Sequence, residues 1–182
     1  MDERRVLLIG RRAAVLTRLA AALRAEGIEA DQVQDPGAAA PRAGYRVVAF
    51  GRAVKPADRD RVRRAFAAAD PDVVFVDGYA PITDLLVAQF EQALDRRPLG
   101  RRAIVDASVR GGIVDLELRG ACRLRITAYR LDALYRTHAR ELFDRRVEPG
   151  THSAALDARW ARSRNVFVVI RADGETVALA AG

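Results

Sequence analysis

The hydrophobic pattern of this 182-residue chain changes near residue 101, and that change limits the folds open to it. Before it, short apolar runs typical of buried strands alternate with longer segments whose apolar residues have helical spacing. After it come short segments suited to strands, several of which alternate apolar and polar residues, with turn residues between them. The first pattern predicts a parallel sheet with helices, and the second predicts antiparallel strands.

The first half predicts four strands and three helices. The strands are expected near residues 4–10, 28–33, 45–51 and 71–78, and the helices near 11–27, 56–70 and 82–97. Gly27 suits the end of the first helix, and Pro56 suits the first position of the second. Because helices separate the strands, we expect a short doubly wound parallel sheet over residues 1–98.

The second half predicts seven short strands. They are expected near residues 103–109, 112–119, 122–130, 140–147, 151–157, 166–172 and 176–181. Gly111-Gly112 and Asp173-Gly174 are hairpin turn sequences. So many strands in about 80 residues favour an antiparallel β-sandwich of immunoglobulin-like type over residues 103–182. The fold class is therefore α/β plus all-β, with the boundary at residues 95–102.

One segment fits either half. Residues 103–108, with the sequence AIVDAS, follow a helix and a short loop. They could form a fifth parallel strand, in which case the sandwich would begin near Gly111. They could equally form the first strand of the sandwich.

Composition argues against several classes of function. The formal charge is +7, yet all but one of the 31 basic residues are arginine, a bias typical of GC-rich bacterial genomes. The arginines are spread along the chain among acids, which favours a mixed-charge surface and disfavours a nucleic-acid binder. No apolar run reaches the 18 residues of a membrane span, and the N-terminal apolar stretch is too short for a signal peptide. We therefore expect a cytoplasmic protein.

No complete catalytic, cofactor or metal motif is present. Gly10 is followed by Arg-Arg-Ala-Ala-Val, which lacks the glycines of a dinucleotide fingerprint, and no P-loop occurs. Cys122 is the only cysteine, so a cysteine-based metal site is excluded. We expect Cys122 at the start of a strand, His138 in a polar bulge or loop and His152 at a strand start. A thiolate pair of Cys122 with His138 or His152 is therefore less favoured than a core cysteine with surface histidines. We predict no catalytic residue, no cofactor and no metal.

Residues 4–97 resemble the receiver domain of response regulators. The likeness lies in the order of elements, the strand RRVLLIG, the glycine-ended helix after it and the strand YRVVAFG. Receivers hold a metal with acids after the first strand and accept phosphate on an aspartate that ends the third. Here those positions are Gly10-Arg11 and Phe50-Gly51. The resemblance therefore implies a receiver-like domain that cannot be phosphorylated in the family's way.

The carboxyl ends of the predicted parallel strands are where such a sheet binds ligands. Arg11, Arg12 and Arg52 lie there and could bind an anion together with helix-start N–H groups. Asp77, Gly78 and Tyr79 could form a pocket rim, although a turn-capping role for Asp77 is favoured.

The last group of candidates concerns contacts between proteins. With four strands in the order 2-1-3-4, the edge strand would be Asp72–Asp77, whose Val74 and Phe75 have no lysine or internal proline beside them. A second copy, the sandwich or another protein could cover it, and a homodimer is favoured. Trp160 is expected in a loop between strands or at a strand edge. Among its neighbouring arginines it could stack a partner group, but packing over the end of the sandwich is favoured.

The leading hypothesis is a non-enzymatic binding or regulatory protein that acts through contacts with an unidentified protein. One alternative is an enzyme, or an accessory subunit, that binds a phosphorylated or carboxylated small molecule at the strand ends. The other is an arginine-driven nucleic-acid binder.

Overall fold

The structure is a computed structural model that describes residues 4–42, 44–163 and 165–181. The chain divides into two compact units, Met1–Leu94 and Asp95–Gly182. The first contains a parallel sheet with helices and the second contains antiparallel sheets, so the predicted fold class, α/β plus all-β, is confirmed.

The first unit alternates strands and helices in the order predicted from the sequence. Its elements are β1 (Arg5–Ile9), α1 (Ala13–Ala25), β2 (Glu29–Val33), a 3-10 turn (Pro36–Ala38), β3 (Tyr45–Phe50), α2 (Pro56–Ala69), β4 (Val74–Asp77) and α3 (Thr83–Leu94). Gly27 has φ of +71° just after α1, which is the left-handed conformation that ends helices. Pro56 is the first residue of α2, as the sequence predicts.

The four strands of this unit are parallel and lie in the order β2-β1-β3-β4. This confirms the order 2-1-3-4, with β4 at one edge. One face packs against α1 and α3 through residues such as Leu19 and Phe90. The other packs against α2 through Val62 and Phe66. Helices on both faces are typical of a doubly wound sheet.

The second unit consists, over its described residues, of seven strands and one short α-helix, preceded by a 3-10 turn at Leu99–Arg101. They are β5 (Ile104–Arg110), β6 (Ile113–Leu118), β7 (Cys122–Leu131), β8 (Thr137–Val147), β9 (Gly150–Ala155), α4 (Ala158–Ala161), β10 (Val166–Ala172) and β11 (Glu175–Ala181). One sheet has the order β11-β10-β7-β8 and the other β5-β6-β9. Alternate residues of the strands form a single apolar core.

The ambiguous segment 103–108 belongs to the second unit. β5 pairs with β6 in antiparallel register, with Val109 opposite Val114. It is therefore not a fifth parallel strand, and the parallel sheet of the first unit ends at β4.

Both predicted hairpin turns are confirmed. Gly111 and Gly112 join β5 to β6 with φ of +56° and +79°, and Asp173 and Gly174 join β10 to β11 with φ of +46° and +75°. Two successive positive φ angles give the turn whose twist matches that of paired strands.

Two local predictions in this unit were wrong. His138 lies within β8, which begins at Thr137, whereas the sequence predicted a polar bulge or loop there. β8 is the edge strand of its sheet, and exposed polar side chains give such a strand no clear alternation. Trp160 lies in the short helix α4, because Asp157 accepts hydrogen bonds from the N–H groups of Arg159 and Trp160.

A buried carboxylate joins the two sheets of the second unit. Glu175, at the start of β11, is 2% exposed. Its Oε2 accepts hydrogen bonds from the N–H groups of Ala103 at 2.6 Å and Ile104 at 3.3 Å. The backbone donors at the start of β5 are therefore satisfied by a residue of the other sheet.

Candidate functional site

Three glycines mark the carboxyl ends of β1, β3 and β4 in the first unit. The N–H of Gly10 donates to Val33, that of Gly51 donates to Ile9 at 2.8 Å, and that of Gly78 donates to Phe50 at 3.0 Å. Each loop therefore leaves its strand while bonded to the neighbouring strand. These loops form the carboxyl-end side of the sheet, which the sequence predicted as a ligand site.

The same glycines allow close packing on this side of the sheet. A Cβ at Gly51 would lie 3.5 Å from the Cα of Gly10, and one at Gly78 would lie 3.0 Å from Cδ2 of Leu86. The strand ends are packed against each other and against α3.

Arg59, from the first half of α2, holds the loop that follows β3. Its Nε donates to the carbonyl of Val54 at 3.0 Å, and Nη2 donates to the carbonyls of Gly51 at 3.2 Å and Arg52 at 3.3 Å. Its Nη1 donates to Oδ1 of Asp77 at 2.8 Å. One guanidinium thus connects the ends of β3 and β4, and we call this arrangement the Arg59 clamp.

Asp77 accepts from a second arginine. Nη2 of Arg63 donates to its Oδ2 at 2.6 Å, and the Arg63 guanidinium lies 5.3 Å from the centre of the Phe50 ring. The sequence favoured a turn-capping role for this carboxylate. The structure instead directs its two oxygens to two arginines on α2, which approach from one helical turn and are separated by four residues.

Gln89, on α3, fixes the turn after β4, a role that the sequence did not predict. It is 8% exposed, its Nε2 donates to the carbonyl of Asp77 at 3.2 Å, and its Oε1 accepts from the N–H of Tyr79 at 3.0 Å. A glutamine on the apolar side of a helix was the available signal, because a buried amide requires partners. The rim residues Asp77, Gly78 and Tyr79 are therefore held by α3.

The predicted anion-binding arginines do not share one partner. Nη2 of Arg11 lies 3.7 Å from Oδ2 of Asp58 in the first turn of α2. Arg12 precedes α1 with extended backbone, and its side chain is exposed, as is that of Arg52. Joint anion binding by these arginines stays a prediction.

The cysteine and the histidines belong to separate parts of the second unit. Cys122 is 2% exposed, and burial raises the pKa of its thiol, so the thiolate is disfavoured. His138 lies opposite Arg130, eight residues along β7 from Cys122, which corresponds to about 26 Å. His152 donates to the carbonyl of Glu148. A core cysteine with surface histidines is therefore what the structure contains.

The candidate contact residues differ in exposure. Val74 and Phe75 on β4 are half-buried, and Phe75 stacks on Phe50 with ring centres 6.4 Å apart. Trp160 is 8% exposed and packs in the core of the second unit, with the Arg130 guanidinium 5.6 Å from its ring. Of the three, only the β4 residues lie at a sheet edge.

Within the described ranges, no three His, Cys, Asp or Glu side chains are grouped so that they could hold a metal ion. Among the same residues, no helix has both the length and the apolar character needed to cross a membrane. No family model matches the chain, and no curated protein or solved structure matches it either.

Proposed function

We propose that this chain is a non-enzymatic binding or regulatory protein that acts through protein–protein contacts. The observation that carries the proposal is the Arg59 clamp. The clamp lies at the carboxyl ends of the parallel strands, where a doubly wound domain normally binds its ligand.

The clamp uses the chemical groups that would otherwise serve a substrate. Both oxygens of Asp77 are engaged by arginines, and the loop carbonyls of Gly51 and Arg52 accept from Arg59. A general base or ligand holder needs a carboxylate that is available to the reacting group. This side of the sheet is therefore better suited to fixing the shape of the domain than to chemistry.

The comparison with receivers supports the same function. Strand order 2-1-3-4, with helices on both faces, is the arrangement of a receiver without its fifth strand. In this resemblance, Phe50-Gly51 stands at the position of the phosphate acceptor, and Gly10-Arg11 at that of the metal-binding acids. We interpret the unit as a receiver-like domain whose contacts with other proteins do not depend on phosphorylation, joined to an immunoglobulin-like sandwich.

One surface available for such contacts in the first unit is the edge of β4. Photo-crosslinking tests this in the cells that make the protein, with benzoylphenylalanine in place of Phe75. The matched control carries the same group in place of Arg18, which is exposed on α1. We expect discrete adducts between the chain and a protein from the Phe75 position, and few from the Arg18 position.

Two results would contradict the proposal. One is the absence of any intermolecular protein adduct from the Phe75 position. The other is a rise in melting temperature with phosphorylated or carboxylated metabolites that is lost in Arg11→Ala and Arg52→Ala. That second result would establish the small-molecule site instead.

A further inference from the structure

The two edges of the parallel sheet have different chemistry. β2, at one edge, has the sequence EADQV and carries the charged residues Glu29 and Asp31. β4, at the other edge, has the sequence VFVD, and its Val74 and Phe75 are half-buried. Charged residues protect an edge against pairing with another strand, whereas a short apolar edge without lysine or proline permits it.

The β4 edge has opposite charges at its two ends. Asp70 and Asp72 precede the strand, and α2 ends beside them, since the N–H of Asp70 bonds to the carbonyl of Phe66. At the other end, Arg59 and Arg63 place two guanidinium groups beside the carboxylate of Asp77, and Nη1 of Arg63 also lies 3.9 Å from Oδ1 of Asp60. The dipole of α2 adds partial negative charge at the first end and partial positive charge at the second.

We propose that the β4 edge pairs with the β4 edge of a second copy of this chain, in antiparallel orientation about a two-fold axis. This deepens the function proposed above, on which it rests, by naming the partner. A two-fold pairing brings each end of one strand to the opposite end of the other. The acidic end of each copy then lies beside the arginines of the other, and the two four-stranded sheets become one.

The register is the one in which the two four-residue strands overlap fully. With the axis between Phe75 and Val76, Val74 of one copy lies opposite Asp77 of the other. Asp72 then lies just beyond Asp77 of the second copy, in the region of its Arg63. A strand pair of four residues is small beside the roughly 1,200–2,000 Å² of a stable interface, so α2 and α3 must contribute, and we expect a dissociation constant of about 10 µM.

Charge reversal and complementation test this arrangement in the full-length protein. Asp72→Arg places like charges beside the second copy's arginines, and Arg63→Glu places like charges beside its Asp72. We expect each variant alone to dissociate at least ~10-fold more readily than the wild type in sedimentation velocity. A mixture of the two restores one favourable junction and keeps the other, so we expect it to form a heterodimer of near wild-type affinity.

Matched controls separate the interface from general effects of charge. Glu29→Arg makes the same kind of change at the β2 edge, and Arg18→Glu makes it on α1, where both residues are exposed. Both should dimerise like the wild type. Circular dichroism establishes that all the variants are folded, and the complementation would not occur if either interface variant were unfolded.

Each of the following outcomes would overturn the pairing. A wild-type chain that is monomeric at about 100 µM excludes it. Dimers that are insensitive to both charge reversals, or variants that fail to complement, place the interface elsewhere. Adducts of the Phe75 position with a different protein alone would overturn the pairing while the proposed function stands, whereas no intermolecular protein adduct at all would contradict both.

Discussion

The two units of this chain use an acidic side chain in opposite ways. Asp77, in the first unit, has a side chain that is 49% exposed and is held by arginines. Glu175, in the second unit, is buried and accepts from backbone N–H groups. A water-exposed ion pair contributes little to stability, whereas a buried acceptor whose donors have no alternative contributes much. The exposed ion pairs of Asp77 therefore order a surface of the first unit, whereas Glu175 holds the two sheets of the second unit together.

The comparison is sharpest for Glu175→Ala, the substitution with the largest expected effect. It leaves one buried and one partly buried N–H group without an acceptor, so we expect the free energy of unfolding of the second unit to fall by about 2–3 kcal/mol. The single tryptophan, Trp160, lies in this unit, so its fluorescence in a urea titration measures the change. Glu117→Ala, at an exposed position of β6, should change the midpoint little. Equal midpoints for the two variants would show that the buried Glu175 stabilises its unit no more than an exposed glutamate does. The contrast with Asp77 of the first unit would then disappear.

Arg59→Ala tests how much the clamp contributes to the first unit. It removes four hydrogen bonds of a side chain that is 21% exposed, and we expect a loss of about 1–2 kcal/mol. Circular dichroism at 222 nm reports this change, because the three long helices belong to the first unit. Arg61→Ala, on the exposed side of the same helix, is the matched control. A shift in Trp160 fluorescence as large as the dichroism shift would contradict the assignment to this unit.

Asp31, in the first unit, has an exposure between those of Glu175 and Asp77, since its side chain is 43% exposed. The hydroxyl of Tyr45 and the guanidinium of Arg5 both donate to its Oδ2, and these contacts hold the pKa of Asp31 below its usual value. A lowered pKa in the folded state stabilises the protein above the unfolded pKa, and this stabilisation is lost as pH falls through the folded pKa.

Tyr45→Phe removes the largest cause of that shift. We expect a loss of about 1 kcal/mol at pH 7, at the low end for a charged acceptor because the side chain of Asp31 is 43% exposed. The difference from the wild type should shrink below the folded pKa of Asp31, where its carboxyl is protonated in both proteins. Urea titrations at pH 7 and near pH 2.5 measure this. A difference that stays constant with pH would contradict the role assigned to the hydrogen bond between the Tyr45 hydroxyl and the Asp31 carboxylate.

Asp77→Ala should have a smaller effect, no more than about 1 kcal/mol and weaker at high salt, because its ion pairs are exposed. Thermal unfolding at low and high ionic strength measures it. A loss as large as that of Glu175→Ala would break the comparison from which these predictions start.

The smallest expected effect is none. Acetyl phosphate with magnesium should leave the mass of the protein unchanged, because the proposed resemblance to receivers puts Phe50-Gly51 at the acceptor position and Gly10-Arg11 at the position of the metal-binding acids. Intact mass spectrometry measures this. Stoichiometric addition of one phosphoryl group would refute the interpretation of the first unit as a receiver-like domain that does not take phosphate.

The sequence predicted elements with strong periodicity and missed contacts made by single side chains. The parallel strands and the Asp173-Gly174 hairpin are local patterns, and they were confirmed. Trp160 was assigned to a loop or strand edge, because a helix of one turn has too few residues to show a period. The roles of Arg59 and Gln89 depend on loops that are distant in sequence. In a chain so rich in arginine, composition alone does not identify the one that forms a clamp.

The contact between Glu175 and the start of β5 also has a consequence for the order of folding. β5 is the first strand of the second unit to be synthesised, and β11 is the last. The donors at the start of β5 obtain their acceptor only when Glu175 has left the ribosome. The two sheets can each begin to form during translation, but this unit closes as its final strand emerges, so its nascent chain is exposed to chaperones and proteases until then.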